Sequence, residues 1–330
     1  MNATRVFLTG ATGYLGGEIL RQLLQAGFLV RALVRPGTSP GLGPEVELAT
    51  GDLAEAARLP YMIEGCMAVF HCAALVSNWV RNQDDFYATN VQGLVNVMEA
   101  VRKSSVSTLV YTSSFFALGP SPMPGASEDS GLNGLQLHPY QHSKLLARHT
   151  ARRARAEGFP IVILYPGVIY GPGKRTQGNL VAQLATDFVR GRIPGLLGSG
   201  RQVWSYSFIR DVARGHLLAL ERSPAGGEFV LGGDNVCLRD FFETLARLAG
   251  RPAPRLKIPV ALGVLVAGAR MALARLSGRS PEMTPAAVRM MYHSWACDSS
   301  KARTELGYQF RSLEDGLRET LQSLNISIVR

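Results

Sequence analysis

Short apolar runs alternate with helical spacings over the first half of the chain. Val6 to Leu8 stops at glycines spaced three apart, Gly10, Gly13 and Gly16. Behind them Ile19, Leu20, Leu23 and Leu24 recur at helical spacing, so the pattern predicts strand, tight turn and helix. Further strands are expected at 29–34, 46–53, 68–72, 108–112 and 161–165. Asn90 is read as opening an amphipathic helix through Val91, Leu94, Val97, Met98 and Val101. Another helix starts near Pro139, after a polar, Pro/Gly-rich loop from Gly119 to Gly134. This alternation predicts an α/β fold: a doubly wound parallel sheet of the Rossmann kind with right-handed crossovers.

The alternation breaks beyond Gly173. Helix is expected over 179–190, loop over 191–200, strand over 204–209, helix over 211–221 and a short strand at 229–231, with mostly helix after Leu238. Residues 1–173 are therefore read as a dinucleotide-binding domain to which 204–222 return. Residues 174–203 and 223–330 make a smaller, mostly helical C-terminal substrate domain.

The glycines give the first turn a purpose. Without a Cβ they allow a tight turn and close approach, and the helix behind them offers free N–H groups and a positive dipole end to a pyrophosphate. Where the second strand ends, a carboxylate would bind an adenine ribose 2′-hydroxyl. This chain has Val34 and Arg35 there, and an arginine can pair with a 2′-phosphate, which points to NADP. Asp52 and Leu53, closing the third strand, are placed to read the adenine edge. Small residues at Ala73 and Ala74 would let a cofactor pass close to the backbone, while His71 is read as a packing residue. Asn90 is counted with the cofactor side, although its amide could equally cap its helix or tie neighbouring strands together.

The fifth strand delivers Ser113 and Ser114 at its C-terminal end, where ligands sit in doubly wound sheets. Tyr140 and Lys144 follow four residues apart on one helix face. When a hydride leaves an alcohol carbon, a proton must leave its oxygen, and a tyrosine can take it. A free phenol is a poor base at neutral pH. A lysine one turn away, with the positive charge of an oxidised nicotinamide, would favour phenolate. Ser114 would orient the substrate oxygen, and Lys144 could also bond the nicotinamide ribose.

Length, charge and cysteines narrow the setting. The 330 residues carry a formal net charge of +10. Residues 251–289 hold Arg251, Arg255, Lys257, Arg270, Arg275, Arg279 and Arg289 against only Glu282. No nucleic-acid motif accompanies this patch, so that partner is set aside. The uninterrupted apolar stretch from Ile258 to Ala269 is too short to span a bilayer. A helix over 258–276 touching a membrane surface, or covering a substrate pocket, remains open. Cys66, Cys72, Cys237 and Cys297 form no CxxC or zinc spacing, which suggests buried thiols in a reducing compartment and no metal. With a first strand beginning almost at the N-terminus and no leader before it, a cytoplasmic protein is expected.

The chain resembles the extended short-chain dehydrogenase/reductases along essentially its whole length. The resemblance is carried by Thr9-Gly-Ala-Thr-Gly-Tyr-Leu-Gly16, Gly51-Asp-Leu53, His71-Cys-Ala-Ala74, Asn90-Val-Gln-Gly93, Tyr111-Thr-Ser-Ser114, Tyr140-Gln-His-Ser-Lys144 and Tyr165 to Gly173. Arg31 to Arg35, Tyr111 to Gly119, Leu164 to Lys174 and Cys297 to Tyr308 are similar to NAD-dependent farnesol dehydrogenases, a branch related to dihydroflavonol reductases. The resemblance implies catalytic roles for Ser114, Tyr140 and Lys144. It also implies cofactor contacts from Gly10, Thr12, Gly13, Tyr14, Leu15 and Gly16, and near Arg35, Asp52, Ala73 and Pro166 to Val168. It implies NAD where Arg35 argues for NADP, so the cofactor stands as NAD(P), and it implies a homodimer. Two departures, Phe208-Ile-Arg-Asp211 and Tyr165, alter polar groups that sugar-modifying relatives carry. The expected activity is interconversion of an apolar, prenyl-like alcohol with its aldehyde or ketone. A sugar-nucleotide epimerase or dehydratase is the alternative, and a non-catalytic dinucleotide-binding regulator the third reading.

Overall fold

Val6 and Leu8 have no exposed surface, and their strand is hydrogen-bonded to a parallel neighbour on each side. Continuous apolar strands of this kind belong in a sheet covered on both faces. The computed structural model describes residues 4–329 except 39, 40, 132–134, 175, 177, 278, 279 and 282. In chain order the elements begin β1 (Arg5–Thr9), α1 (Tyr14–Gln25), β2 (Leu29–Val34), β3 (Val46–Thr50), α2 (Leu59–Ile63) and β4 (Ala68–His71). Next come α3 (Asp84–Tyr87), a π-turn (Ala88–Gln92), α4 (Gly93–Arg102), β5 (Thr108–Thr112), a 3₁₀ turn (Phe115–Leu118), β6 (Ser121–Ala126), α5 (Pro139–Ala156), β7 (Ile161–Pro166) and β8 (Val168–Tyr170). The remainder is α6 (Leu180–Val189), β9 (Leu196–Leu197), β10 (Val203–Phe208), α7 (Ile209–Arg222), β11 (Gly227–Leu231), β12 (Asp234–Cys237) and α8 (Leu238–Ala249). The chain closes with β13 (Lys257–Ile258), α9 (Val260–Ser277), α10 (Pro285–Tyr292), β14 (Trp295–Cys297), α11 (Ser300–Leu306) and α12 (Leu313–Ser323).

The main sheet has the order β11-β7-β5-β4-β1-β2-β3, and its pairings are parallel. This is the doubly wound α/β sheet expected from the alternating pattern. A second sheet, β12-β10-β14-β6 with β8 on β10, stands beside it. Its strands recruit distant segments: Trp295 pairs with both Trp204 and Ser121.

The structure corrects several local expectations. Asn90 does not open a helix. It lies in the π-turn of an unbroken helical run from Asp84 to Arg102. The loop expected over 119–134 contains β6, and its end at Gly134 falls outside the described residues. Residues 227–231, grouped by pattern with the C-terminal part, are β11 at the edge of the main sheet, whereas β10 belongs to the second sheet. The C-terminal part is helical as expected but also supplies β12, β13 and β14.

A buried polar cluster fixes the β11 edge. Glu228 is buried and accepts from Tyr165 Oη at 2.9 Å, Arg152 Nε at 3.0 Å and Arg155 Nη1 at 3.2 Å. Arg148, equally buried, donates to Tyr165 Oη and to the carbonyls of Ala117, Glu128 and Ser130. The Glu128 carboxylate accepts from the Val230 N–H at 2.6 Å, satisfying an edge-strand donor. Removing one member of a buried charged cluster leaves its partners unpaired, although Arg152 and Arg155 are partly open to water. Glu228→Ala is therefore expected to cost about 2–3 kcal/mol of stability in urea unfolding. A loss under about 0.5 kcal/mol would show that the cluster does not hold the edge.

Candidate active site

Three neighbouring strands, β5, β4 and β1, deliver the site at their C-terminal ends. At the end of β1, Gly10 takes φ +79°, and a Cβ there would lie 2.7 Å from the Ala73 nitrogen. A Cβ at Gly16 would lie 2.0 Å from the Gly10 carbonyl oxygen, so α1 can approach the turn only with glycine at that position. Gly13 caps α1 without a side-chain hydrogen bond, and the first turn holds no acidic residue. The first-turn N–H groups are thus available to an anion, and the cradle is one that side chains would fill. These residues fit a dinucleotide pyrophosphate.

The flanking positions are built into the same rim. Thr9 Oγ1 lies 2.8 Å from His71 Nδ1 and accepts from the Ala73 N–H at 3.1 Å. His71 is fully buried and its pKa is pushed down to about 3, first by desolvation and then by the Lys144 charge, so it is a neutral packing residue. Tyr14 Oη donates to the Gly171 carbonyl at 2.8 Å, and Lys174 Nζ donates to the Thr12 carbonyl at 3.1 Å. Together they tie the glycine turn to the segment following Pro166 and Val168. Leu15 packs against the core, and Ala74 stands half-buried beside Ala73. Asp52 Oδ1 caps the Ala54 N–H, and the Leu53 carbonyl accepts from Asn96. Arg35 stands exposed just past β2. Asn90, counted above with the cofactor side, is occupied by the protein itself. Its amide bonds both backbone groups of Leu75 and donates to Ser143 Oγ at 2.9 Å. It is a buried tether between the segment after β4 and α5.

Tyr140 and Lys144 lie one turn apart on α5, both buried. His138 sets that helix start. Its Nδ1 accepts from the Tyr140 N–H at 3.1 Å, Pro139 takes the first helical position, and its Nε2 donates to the Asn78 carbonyl at 3.0 Å. Lys144 Nζ donates to the Thr112 carbonyl at 3.1 Å and lies 5.5 Å over the Tyr111 ring. Ser114, buried at the end of β5 with its Oγ accepting from the Phe116 N–H at 3.3 Å, is near enough to act on the Tyr140 phenol, so the trio meets there.

Burial opposes the acidification of Tyr140 that is expected from Lys144 together with an oxidised nicotinamide. Burial raises Tyr140 to about 12, with only the neighbouring Ser114 hydroxyl pulling the other way. Burial also lowers Lys144 to about 8. The Lys144 ammonium is directed to the Thr112 carbonyl, so it is not spent on the phenol. Residue order did not reveal the groups behind this arrangement. The Thr112 hydroxyl lies 2.8 Å from His216 Nε2, and His216 Nδ1 donates to the Val212 carbonyl. A histidine directly before a helix-opening proline was the available signal for His138; His216 gave none. Around Tyr140 the wall is aromatic: Phe86 and Phe116 have ring centroids 6.1 Å away, and Phe116 in turn meets Trp295 at 4.7 Å and Trp204 at 6.3 Å.

A glycine cradle at a helix start, beside a buried Ser-Tyr-Lys trio on a doubly wound sheet, defines a dinucleotide-dependent enzyme of the short-chain dehydrogenase/reductase class. Comparison with known proteins agrees. The NAD dependent epimerase/dehydratase family model matches residues 6–232. A Synechocystis sp. protein provisionally named a dihydroflavonol 4-reductase is 30% identical over 96% of this chain and 93% of its own. A 4-hydroxy-2-methyl-3-oxo-4-farnesyl-3,4-dihydroquinoline-1-oxide ketoreductase from Stigmatella aurantiaca is 31% identical over 93% of this chain and 92% of its own. The crystal structure of gox2253 superposes with a TM-score of 0.79 at 30% identity, covering 98% of both chains. The chain belongs to the NAD dependent epimerase/dehydratase family, the extended short-chain dehydrogenases/reductases.

Burying the Lys144 charge costs folding free energy, because the lowered pKa disfavours its charged form in the folded state. The cost is full below about 8, shrinks as pH rises above it, and vanishes once the unfolded lysine is also neutral above 10.5. Lys144→Met is expected to melt several degrees higher than wild type at neutral pH, with the gain shrinking in alkaline buffer. A lower melting temperature at neutral pH would contradict this.

Proposed function

We propose that this protein interconverts an apolar, prenyl-like alcohol and its aldehyde or ketone, using NAD(P). The observation that carries the reading is the aromatic cluster beside the Tyr140 ring, Phe86 and Phe116 next to it with Trp204 and Trp295 packed on Phe116. Ring faces suit an isoprenoid chain, whereas sugar hydroxyls need hydrogen-bonding partners that rings do not offer. The ketoreductase relative, whose name includes a farnesyl group, supports the same substrate class.

A nicotinamide held at this site would supply the hydride acceptor for oxidation and the hydride donor for reduction. Tyr140 takes the hydroxyl proton in oxidation and returns it to the carbonyl oxygen in reduction. Ser114 holds that oxygen and bonds it more strongly as negative charge develops. Lys144, fixed by the Thr112 carbonyl, would bond the nicotinamide ribose and add its positive charge to the site. The glycine turn and the α1 N-terminus hold the pyrophosphate, with Ala73, Ala74, Pro166 and Val168 lining the passage of the dinucleotide. Arg35, exposed just past β2, would pair with a 2′-phosphate on the adenine ribose and so admit NADP to a family named for NAD.

The test is nicotinamide absorbance with purified protein, prenyl alcohols and both cofactors. Turnover is expected, and Tyr140→Phe is expected to lower it on the order of 10²–10⁴-fold. No turnover with either cofactor, in protein that carries a cofactor through purification, would favour an epimerase or dehydratase that recycles it internally. In the same assay Arg35→Ala is expected to reduce kcat/KM with NADP about tenfold or more while sparing NAD. An equal effect on both would remove Arg35 from phosphate recognition.

A further inference from the structure

The outward side of α9 is apolar. Leu262, Leu265, Val266, Ala269, Leu273 and Leu276 recur at three- and four-residue intervals and are exposed, Leu265 by 69%, Leu273 by 66% and Leu276 by 87%. The inward side is made of small residues. Ala267 and Ala274 are buried, and a Cβ at Gly263 would come within 3.1 Å of Leu197 and 3.3 Å of Val288. A helix at a water surface normally has the reverse arrangement, with large apolar side chains inward. Exposed Leu256 leads into α9 through β13. Tyr292 lies with Val260 against Gly198, so the patch continues past the helix start.

The surrounding charge has one sign. Residues 244–281 contain seven Lys and Arg and no Asp or Glu. Arg251, Arg255, Lys257 and Arg270 are exposed, while Arg279 and Glu282 fall outside the described residues. A two-fold contact with a second copy would set this basic field against itself. A bilayer with anionic headgroups matches both features, with apolar area for the leucines and phosphates for the basic rim. Among the described residues no helix is long and apolar enough to cross a membrane.

We propose that α9 and its basic flank dock this protein on an anionic membrane surface, with the leucine stripe entering the boundary between headgroups and acyl chains. The docking face is joined to the catalytic helix. Thr284, the cap of α10, lies 3.5 Å from the Asn78 carbonyl, which also accepts from His138 at the start of α5. Docking does not depend on which substrate the site takes.

The full chain is tested by flotation with phosphatidylcholine vesicles, with and without phosphatidylglycerol, at low and high salt. Binding to the anionic vesicles, weakened by salt, is expected. Leu265→Glu with Leu273→Glu, and separately Arg255→Glu with Lys257→Glu, should each weaken it about tenfold or more at an unchanged melting temperature. Absence of binding to anionic vesicles would overturn the proposal, as would equal binding to neutral ones. So would a solution dimer that the leucine variant dissociates in protein that binds no vesicle.

Discussion

Lys144 carries an ammonium group into a place with almost no contact with water, and the arrangement of the site follows from holding it there. Its compensation is one carbonyl, that of Thr112 at the end of β5, and the face of the Tyr111 ring. Neither neutralises a charge, so the group sits at the edge of deprotonation near pH 8. Burial keeps nearby groups neutral: His71 is held unprotonated by desolvation first and by the Lys144 charge second, and the Tyr140 phenol is kept un-ionised by desolvation. Such a site stores unfavourable electrostatics that a developing oxyanion can use.

That arrangement depends on β1, β4 and β5 lying side by side in register. Gly10 and Gly16 let α1 close over the end of β1, and the close approach of Ala73 to Gly10 brings the β4 end against the same turn. His138 and Asn90 then fix α5 from two directions, one at its first turn and one through Ser143. The Arg148–Tyr165–Glu228 cluster pins the far end of that helix to β7 and β11. The catalytic helix is thereby held at its start, middle and end.

Much of this was legible in the residues because it is local. The glycine turn, the apolar strands and the four-residue spacing of Tyr140 and Lys144 each lie within one short stretch. What escaped depends on distant partners. β6, Ser-Pro-Met-Pro-Gly-Ala, has the composition of a loop and is a strand only because Trp295 and Cys297 pair with it. Asn90 was misplaced because a π-turn keeps the backbone helical across it. The Tyr140 phenol was expected to be acidified by the lysine one turn away together with the charge of an oxidised nicotinamide, and spacing along a helix does not reveal the burial that opposes this or the carbonyl to which the ammonium donates. The apolar content of α9 was plain in the chain, but only the fold tells which of its sides faces out.

The chemistry turns on the link between the cofactor's charge and Tyr140. The most direct measurement is the ultraviolet phenolate band of wild type and Tyr140→Phe in mildly alkaline buffer, before and after adding oxidised cofactor. A gain in phenolate on cofactor binding, present in wild type and missing in the variant, is the predicted result. Cofactor binding with no phenolate gain, or the same gain in the variant, would contradict Tyr140 as the proton acceptor.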